Sequence, residues 1–184
     1  GHTYKQDSKY STYQNLISDF NDQLRKQLVD IANEANNKLK NDFNLDVKIW
    51  FSLEGAQFDK KLANRVFDGQ LHAPKIILQA SVIDSQYPLV EKQTIFHPRS
   101  FFNEAKLTCM ALAIRLAFFD RKYRSDECAQ IVFVDDLLIS LDMCHRRTVI
   151  EILLNFCVTH QVFIFTHDKA FFEYVKDNEV LKLK

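Results

Sequence analysis

The chain has 184 residues, 47% of them hydrophobic, enough to bury one sizeable core and better suited to one domain with an appendage than to two domains. Lys plus Arg and Asp plus Glu number 24 each, so no global field favours nucleic acid or membrane, and any such site has to be local. No apolar run approaches the roughly 20 residues that span a bilayer, and the start has no signal-peptide pattern.

Cys109, Cys128, Cys144 and Cys157 include no Cys-x-x-Cys and read as reduced apolar filler, which implies a cytoplasmic compartment. Gly1 and His2 read as an expression scar, with the natural chain expected to begin further upstream.

Residues 10–43 contain neither glycine nor proline and place Tyr10, Tyr13, Ile17, Phe20, Leu24, Leu28, Ile31, Ala35 and Leu39 three or four apart. That spacing predicts one long helix with a narrow apolar stripe. It is either an amphipathic helix packed on the domain or the root of a coiled coil. We expect its later half to pack and its earlier half to project. The Asn, Asp, Gln and Lys residues between stripe positions predict a solvated opposite face.

Residues 45–53, with Val47, Ile49, Trp50 and Phe51, read as a strand. Residues 58–67 read as a short helix or an irregular loop, and 75–83 as a second strand before a polar connection punctuated by Pro88 and Pro98. The basic groups Lys60-Lys61-Arg65, Arg121-Lys122-Arg124 and Arg146-Arg147 could touch nucleic-acid phosphates, but as lone clusters they read as solvated faces.

Residues 103–119 are apolar on nearly every side after the first turn, which predicts a central buried helix started by Asn103 or Ser100 with Glu104 in its first turn. Such an amino terminus attracts phosphate. A plain capped core helix is the other reading.

The organising stretch is residues 131–142, Ile-Val-Phe-Val-Asp-Asp-Leu-Leu-Ile-Ser-Leu-Asp. Four apolar residues predict a short strand buried on both faces, with Asp135 and Asp136 emerging at its carboxyl end, the edge where open α/β sheets bind ligands. Adjacent acids repel, so the pair suits a cation or a proton-transfer role. In this Walker B pattern Asp135 holds Mg²⁺ through water and Asp136 stands where the general base belongs. Two N-capping acids before a helix are the alternative. A phosphate-cradling Gly-x-x-x-x-Gly-Lys is absent, since the only glycines are Gly1, Gly55 and Gly69.

Residues 143–158 predict an amphipathic helix, 161–165 a short strand ending in Thr166-His167-Asp168, 169–175 a helix and 180–183 an edge strand. His167 could bond a phosphate oxygen or a catalytic water, or be a structural group beside an N-capping Asp168.

A buried helix with a polar amino terminus, a strand ending Asp-Asp, then Ser-Leu-Asp and a strand ending Thr-His-Asp, in this order, resemble the carboxyl-terminal lobe of an ABC-type ATPase. The likeness is closer to the SMC-like branch, which includes RecF and RecN. The resemblance implies an α/β fold over residues 44–184, the carboxyl-terminal half of a P-loop NTPase head with mostly parallel core strands flanked by helices. Residues 1–43 would be the root of the coiled coil that this family inserts between its two lobes.

By position, Asn103, Glu104, Ala105 and Lys106 fall in the signature motif that reaches a nucleotide across a dimer. Asp135 matches the magnesium aspartate and Asp136 the catalytic glutamate. Ser140 and Asp142 lie in the D-loop, and His167 is the switch histidine. The implied cofactors are ATP and Mg²⁺. The implied partners are the protein's own amino-terminal ATPase lobe carrying the Walker A motif, a second head in a homodimer, DNA and an effector protein, with no membrane. Asn103, Glu104 and Ala105 stand where the family has a serine and two glycines, and Asp136 is one methylene shorter than glutamate.

The leading expectation is an ATPase whose turnover drives conformational change on DNA in repair, recombination or anti-phage defence, with this chain alone inactive. A rival is a binding or scaffold module that kept the fold and lost turnover. A third reading takes the motifs as coincidence in an unrelated α/β domain. The strands ending at Asp135 and Phe165 then need not be parallel neighbours, and Asp136 would lie far from His167.

Overall fold

A computed structural model describes residues 2–63, 66–83, 94–95, 97–122, 131–136, 141, 143–156 and 160–177. Ser140, Asp142 and the strand expected at 180–183 lie outside the described residues.

The glycine-free amino-terminal run forms a single helix, α1 (His2–Asn41). Its later half buries Leu28, Ile31, Ala35 and Leu39, whereas Tyr13, Leu16 and Phe20 of the earlier half stay exposed. Asn44 reverses the chain in the left-handed region, at φ 50°, a conformation asparagine tolerates. Strand β1 (Val47–Glu54) follows, then β2 (Gln57–Ala63) and β3 (Val66–His72), then β4 (Lys75–Val82).

Where a helix or loop is expected at 58–67, the described residues 58–63 and 66–67 are strand, in β2 and β3, which pair in register from Gln57↔His72 to Ala63↔Val66. Charged residues at Asp59, Lys60, Lys61 and Asp68 interrupt the apolar alternation that marks a strand. This strand pair is inserted between β1 and β4, which pair antiparallel from Val47↔Val82 to Glu54↔Lys75. β5 (Thr94–Ile95) adds to β4, giving the order β1-β4-β5.

The face of α1 opposite the stripe is solvated as expected, with Asn15, Asp22, Asn33 and Lys40 exposed, while amides flanking the stripe meet the backbone of β1, of β2 and of the turn between them. Asn36 brackets Ile49, its Nδ2 donating to the carbonyl at 2.9 Å and its Oδ1 accepting the Ile49 N–H at 2.8 Å. Asn21 does the same for Ala56, at 2.9 and 2.7 Å, and Gln14 donates to the Phe58 carbonyl at 3.1 Å. A primary amide carries both a donor and an acceptor, so it can stand in for the missing neighbour of an edge strand. Gly55 leaves the space this needs, because a Cβ there would come within 2.8 Å of the Asn21 amide.

Beyond a single turn, α2 (Pro98–Phe101), comes α3 (Glu104–Lys122). It packs on α1 and buries Cys109, Met110, Ala113, Leu116 and Ala117, while Ala111, Arg115 and Phe118 face outward. β6 (Ile131–Asp135), α4 (Met143–Phe156), β7 (Gln161–Phe165) and α5 (Lys169–Lys176) complete the described chain. One continuous core joins Leu39, Ile49, Ala80, Met110, Val134, Val149 and Phe171.

Two expectations are corrected here. The strands are not mostly parallel: among the described residues only β6 and β7 pair that way, and the rest are antiparallel. A strand returned through a hairpin runs antiparallel, because a parallel neighbour needs a crossover. Nor is β6 buried on both faces, since Phe133 keeps 66% of its surface exposed and Phe165 on β7 keeps 53%. Among the described residues no helix is long and apolar enough to cross a membrane.

Candidate functional site

β6 and β7 run in parallel register from Ile131↔Gln161 to Asp135↔Phe165, so both strands end at one edge. There Asp136 turns into the left-handed region, with φ 43°, and donates its N–H to the Phe165 carbonyl at 3.0 Å. Aspartate is among the few non-glycine residues that adopt this region readily. The turn brings its side chain onto the segment leaving β7. Oδ2 lies 2.6 Å from His167 Nδ1, and Oδ1 accepts the His167 backbone N–H at 3.3 Å.

One carboxylate therefore holds both the ring and the backbone of His167, whose side chain remains 73% exposed. With Nδ1–H donated to Asp136, the lone pair of a neutral ring sits on Nε2. The separation that the coincidence reading requires is contradicted, because the strands are parallel neighbours and the two side chains touch. Asp135 is exposed on the same strand face as Phe133.

Asp168, next in sequence, caps α5 by accepting the Phe171 N–H at 3.1 Å on Oδ1. Its other oxygen receives Arg146 Nη1 at 2.5 Å, and its own N–H donates to Thr166 Oγ1 at 3.1 Å. The Phe171 N–H and then the Arg146 guanidinium hold its carboxyl below the ordinary value of 3.8, against a smaller opposing effect of burial. Arg146 also donates Nε to the Leu141 carbonyl at 2.8 Å.

Arg146 is the residue that sequence reasoning missed, having been grouped with Arg147 as a solvated pair. Its side chain is only 15% exposed. The signal was available: Arg146 falls in phase with Val149, Ile150 and Leu153, the buried stripe of α4, and Arg147 does not.

Asn103 is the N-cap of α3. Its Oδ1 accepts the Lys106 N–H at 2.9 Å and its carbonyl accepts the Leu107 N–H at 3.1 Å. Ser100 has no part in the cap and donates its N–H to His97. Glu104 and Lys106 are exposed and Ala105 is half-buried. No described contact joins these four residues to Asp135, Asp136 or His167.

Two cavities flank α3. The larger, about 610 Å³, is walled by Leu78, Pro98, Leu107 and Met110 and touches none of the acids. The smaller, about 230 Å³, lies between α3 and β6 and reaches Asp135. It falls below the roughly 300–1,000 Å³ of small-molecule sites.

Among the described residues no group of three or more His, Cys, Asp or Glu could by itself hold a metal ion. A lone carboxylate at a strand end still suits Mg²⁺, which keeps several waters and takes one or two carboxylates plus substrate phosphates.

No model of a known protein family matches the chain, and no curated protein matches it. Among solved structures, one from work described as "Structural biochemistry of ATP-driven dimerization and DNA stimulated activation of SMC ATPases" aligns with 83% of this chain and 76% of its own. The identity is 12% and the TM-score 0.48, a loose likeness in the arrangement of elements.

Proposed function

We propose that the chain is the carboxyl-terminal lobe of an SMC-like ATPase head, contributing the Walker B acids and the switch histidine to a composite ATP site. The observation that carries this reading is the contact of Asp136 with His167 at the common end of two parallel strands, with Asp135 beside it. Adjacent strand ends are what phosphoryl transfer needs from this half of a site, because the protein's work there is positioning and charge neutralisation.

In this role Asp135 would hold Mg²⁺, and the ion when bound would neutralise charge on the phosphates. Asp136 fixes the ring of His167 through Nδ1, leaving the Nε2 lone pair to accept from the attacking water. Being shorter than glutamate, Asp136 reaches the water less readily than it reaches the ring. The amino terminus of α3, with Asn103, Glu104, Ala105 and Lys106, would face a nucleotide on a second head. Ser140 and Asp142 would line the junction between heads. The exposed Phe133 and Phe165 would be covered by the lobe that carries the phosphate loop. DNA and an effector are partners of the whole protein in this reading.

The test is ATP hydrolysis by the natural protein carrying this chain, with and without DNA, in wild type and Asp136→Asn. Asparagine suits the same left-handed backbone, so its effect reports on chemistry. Turnover lowered by roughly 100-fold or more, with nucleotide still bound, supports the reading. The chain by itself should hydrolyse no ATP.

A second reading, a binding or scaffold module, is favoured by one observation: the Asn103 side chain already takes the Lys106 N–H at the helix end where the family has glycines. Nucleotide binding without turnover in the wild-type protein would select it.

A further inference from the structure

Arg146 joins two segments that the proposed reaction treats separately. From the first turn of α4 it donates Nε to the carbonyl of Leu141 and Nη1 to Oδ2 of Asp168, beside the histidine. The Asp168 side chain cannot swing free of its own backbone, since its other oxygen caps α5 and its N–H is held by Thr166, so a pull on it is passed to the backbone next to His167. His167 is bonded through both ring and backbone to Asp136. The result is a continuous path, Leu141 to Arg146 to Asp168 to His167 to Asp136.

A solvated arginine would leave these segments independent. This one is largely buried, at 15% side-chain exposure against 27% for its partner, where a charge-assisted bond is stronger and one lost partner is costly. Arginine suits the position because its fork can donate in two directions at once, whereas an ammonium on a flexible stem has no fixed fork.

We propose that Arg146 is a positioning residue that couples the backbone at Leu141 to His167, so that displacement of Leu141 alters how the ring is held against Asp136. The catalytic consequence rests on the ATPase reading above, but the coupling does not. In that reading a second head displacing Leu141 would be sensed at the histidine without touching it.

The experiment has two arms. Imidazole ¹⁵N spectra of the chain, in wild type, Arg146→Ala, Arg146→Lys and Asp168→Asn, report which ring nitrogen of His167 carries the proton. The wild type should show Nδ1 protonated and the ring fixed, while Arg146→Ala and Asp168→Asn should move both signals toward tautomer averaging. Asp168→Asn retains an oxygen to cap α5, so it remains informative if Arg146→Ala does not fold.

In the natural protein, Arg146→Ala should lower kcat by roughly 10- to 100-fold, the cost of an ångström-scale misplacement, with KM for ATP little changed. Arg146→Lys should fall between. The double variant should be no worse than Arg146→Ala, because both substitutions cut one path. Unchanged ring signals in folded Arg146→Ala and Asp168→Asn would overturn the coupling, as would wild-type kcat in both. Should the wild-type protein hydrolyse nothing, the ATPase reading fails while the ring spectra still decide the coupling.

Discussion

Of the three sheets among the described residues, the one built on β1 and the one built on β6 are finished to different degrees. Around β1 the sheet is anchored at its centre: Ile49 and Ala80 are fully buried and the free edge of β1 is bonded by Asn36 of α1, with Ile76 and Ile77 left exposed at the far end of β4. Around β6 and β7 only one face is covered. Val134 is buried and Val132, Val162 and Ile164 are half-buried beneath it, whereas Phe133, Phe163 and Phe165 lie open, with the first two rings stacked at 5.1 Å. Exposed contiguous apolar surface of this kind marks an interaction face more often than a finished surface. The difference separates a half that maintains the fold from a half arranged for an encounter, and the candidate acids and histidine all sit in the second.

Substitutions should divide along the same line. Leu39→Ala in the anchored half should cost about 2–5 kcal/mol, the range for truncating a buried leucine, as measured by urea unfolding; a cost below about 1 kcal/mol would place the core elsewhere. Asp136→Asn should remove turnover while hardly moving the unfolding midpoint. Asp136→Ala should be less stable than Asp136→Asn, since alanine tolerates the left-handed backbone poorly.

Asn36→Ala should cost about 1–3 kcal/mol, because it leaves both the N–H and the carbonyl of Ile49 without their partner. Hydrogen exchange at the Ile49 amide checks it directly and should quicken far more than exchange in β6.

A pH titration sharpens the other side. The folded Asp168 carboxyl lies below its ordinary 3.8, so its stabilisation is complete above that value and is lost as pH falls through the lower, folded one. Wild type and Asp168→Asn should therefore converge in thermal midpoint only in that acid range, and a constant gap down to the most acid conditions would refute the assignment. The smallest effect belongs to the open face. Phe133→Ser should change unfolding by no more than about 0.5 kcal/mol, yet reduce self-association seen by light scattering.

Local patterns were legible without coordinates. The 3.6-residue stripe of α1, the apolar runs of β6 and β7 and the Asp168 cap each depend on residues within a turn or two of one another, so the sequence by itself determined those elements and set Asp135, Asp136 and His167 at strand ends. Tertiary structure alone decided what they meet. Asn36 and Ile49 are 13 residues apart, Arg146 and Asp168 are 22, and Asp136 and His167 are 31, distances at which no periodicity speaks. Whether an amide faces water or a strand edge, and whether an arginine is solvated or buried against an aspartate, follows from which surfaces meet when the core closes. The open face of β6 and β7 has the same origin, because a run of apolar residues records a strand's chemistry and leaves unstated which side another element will cover.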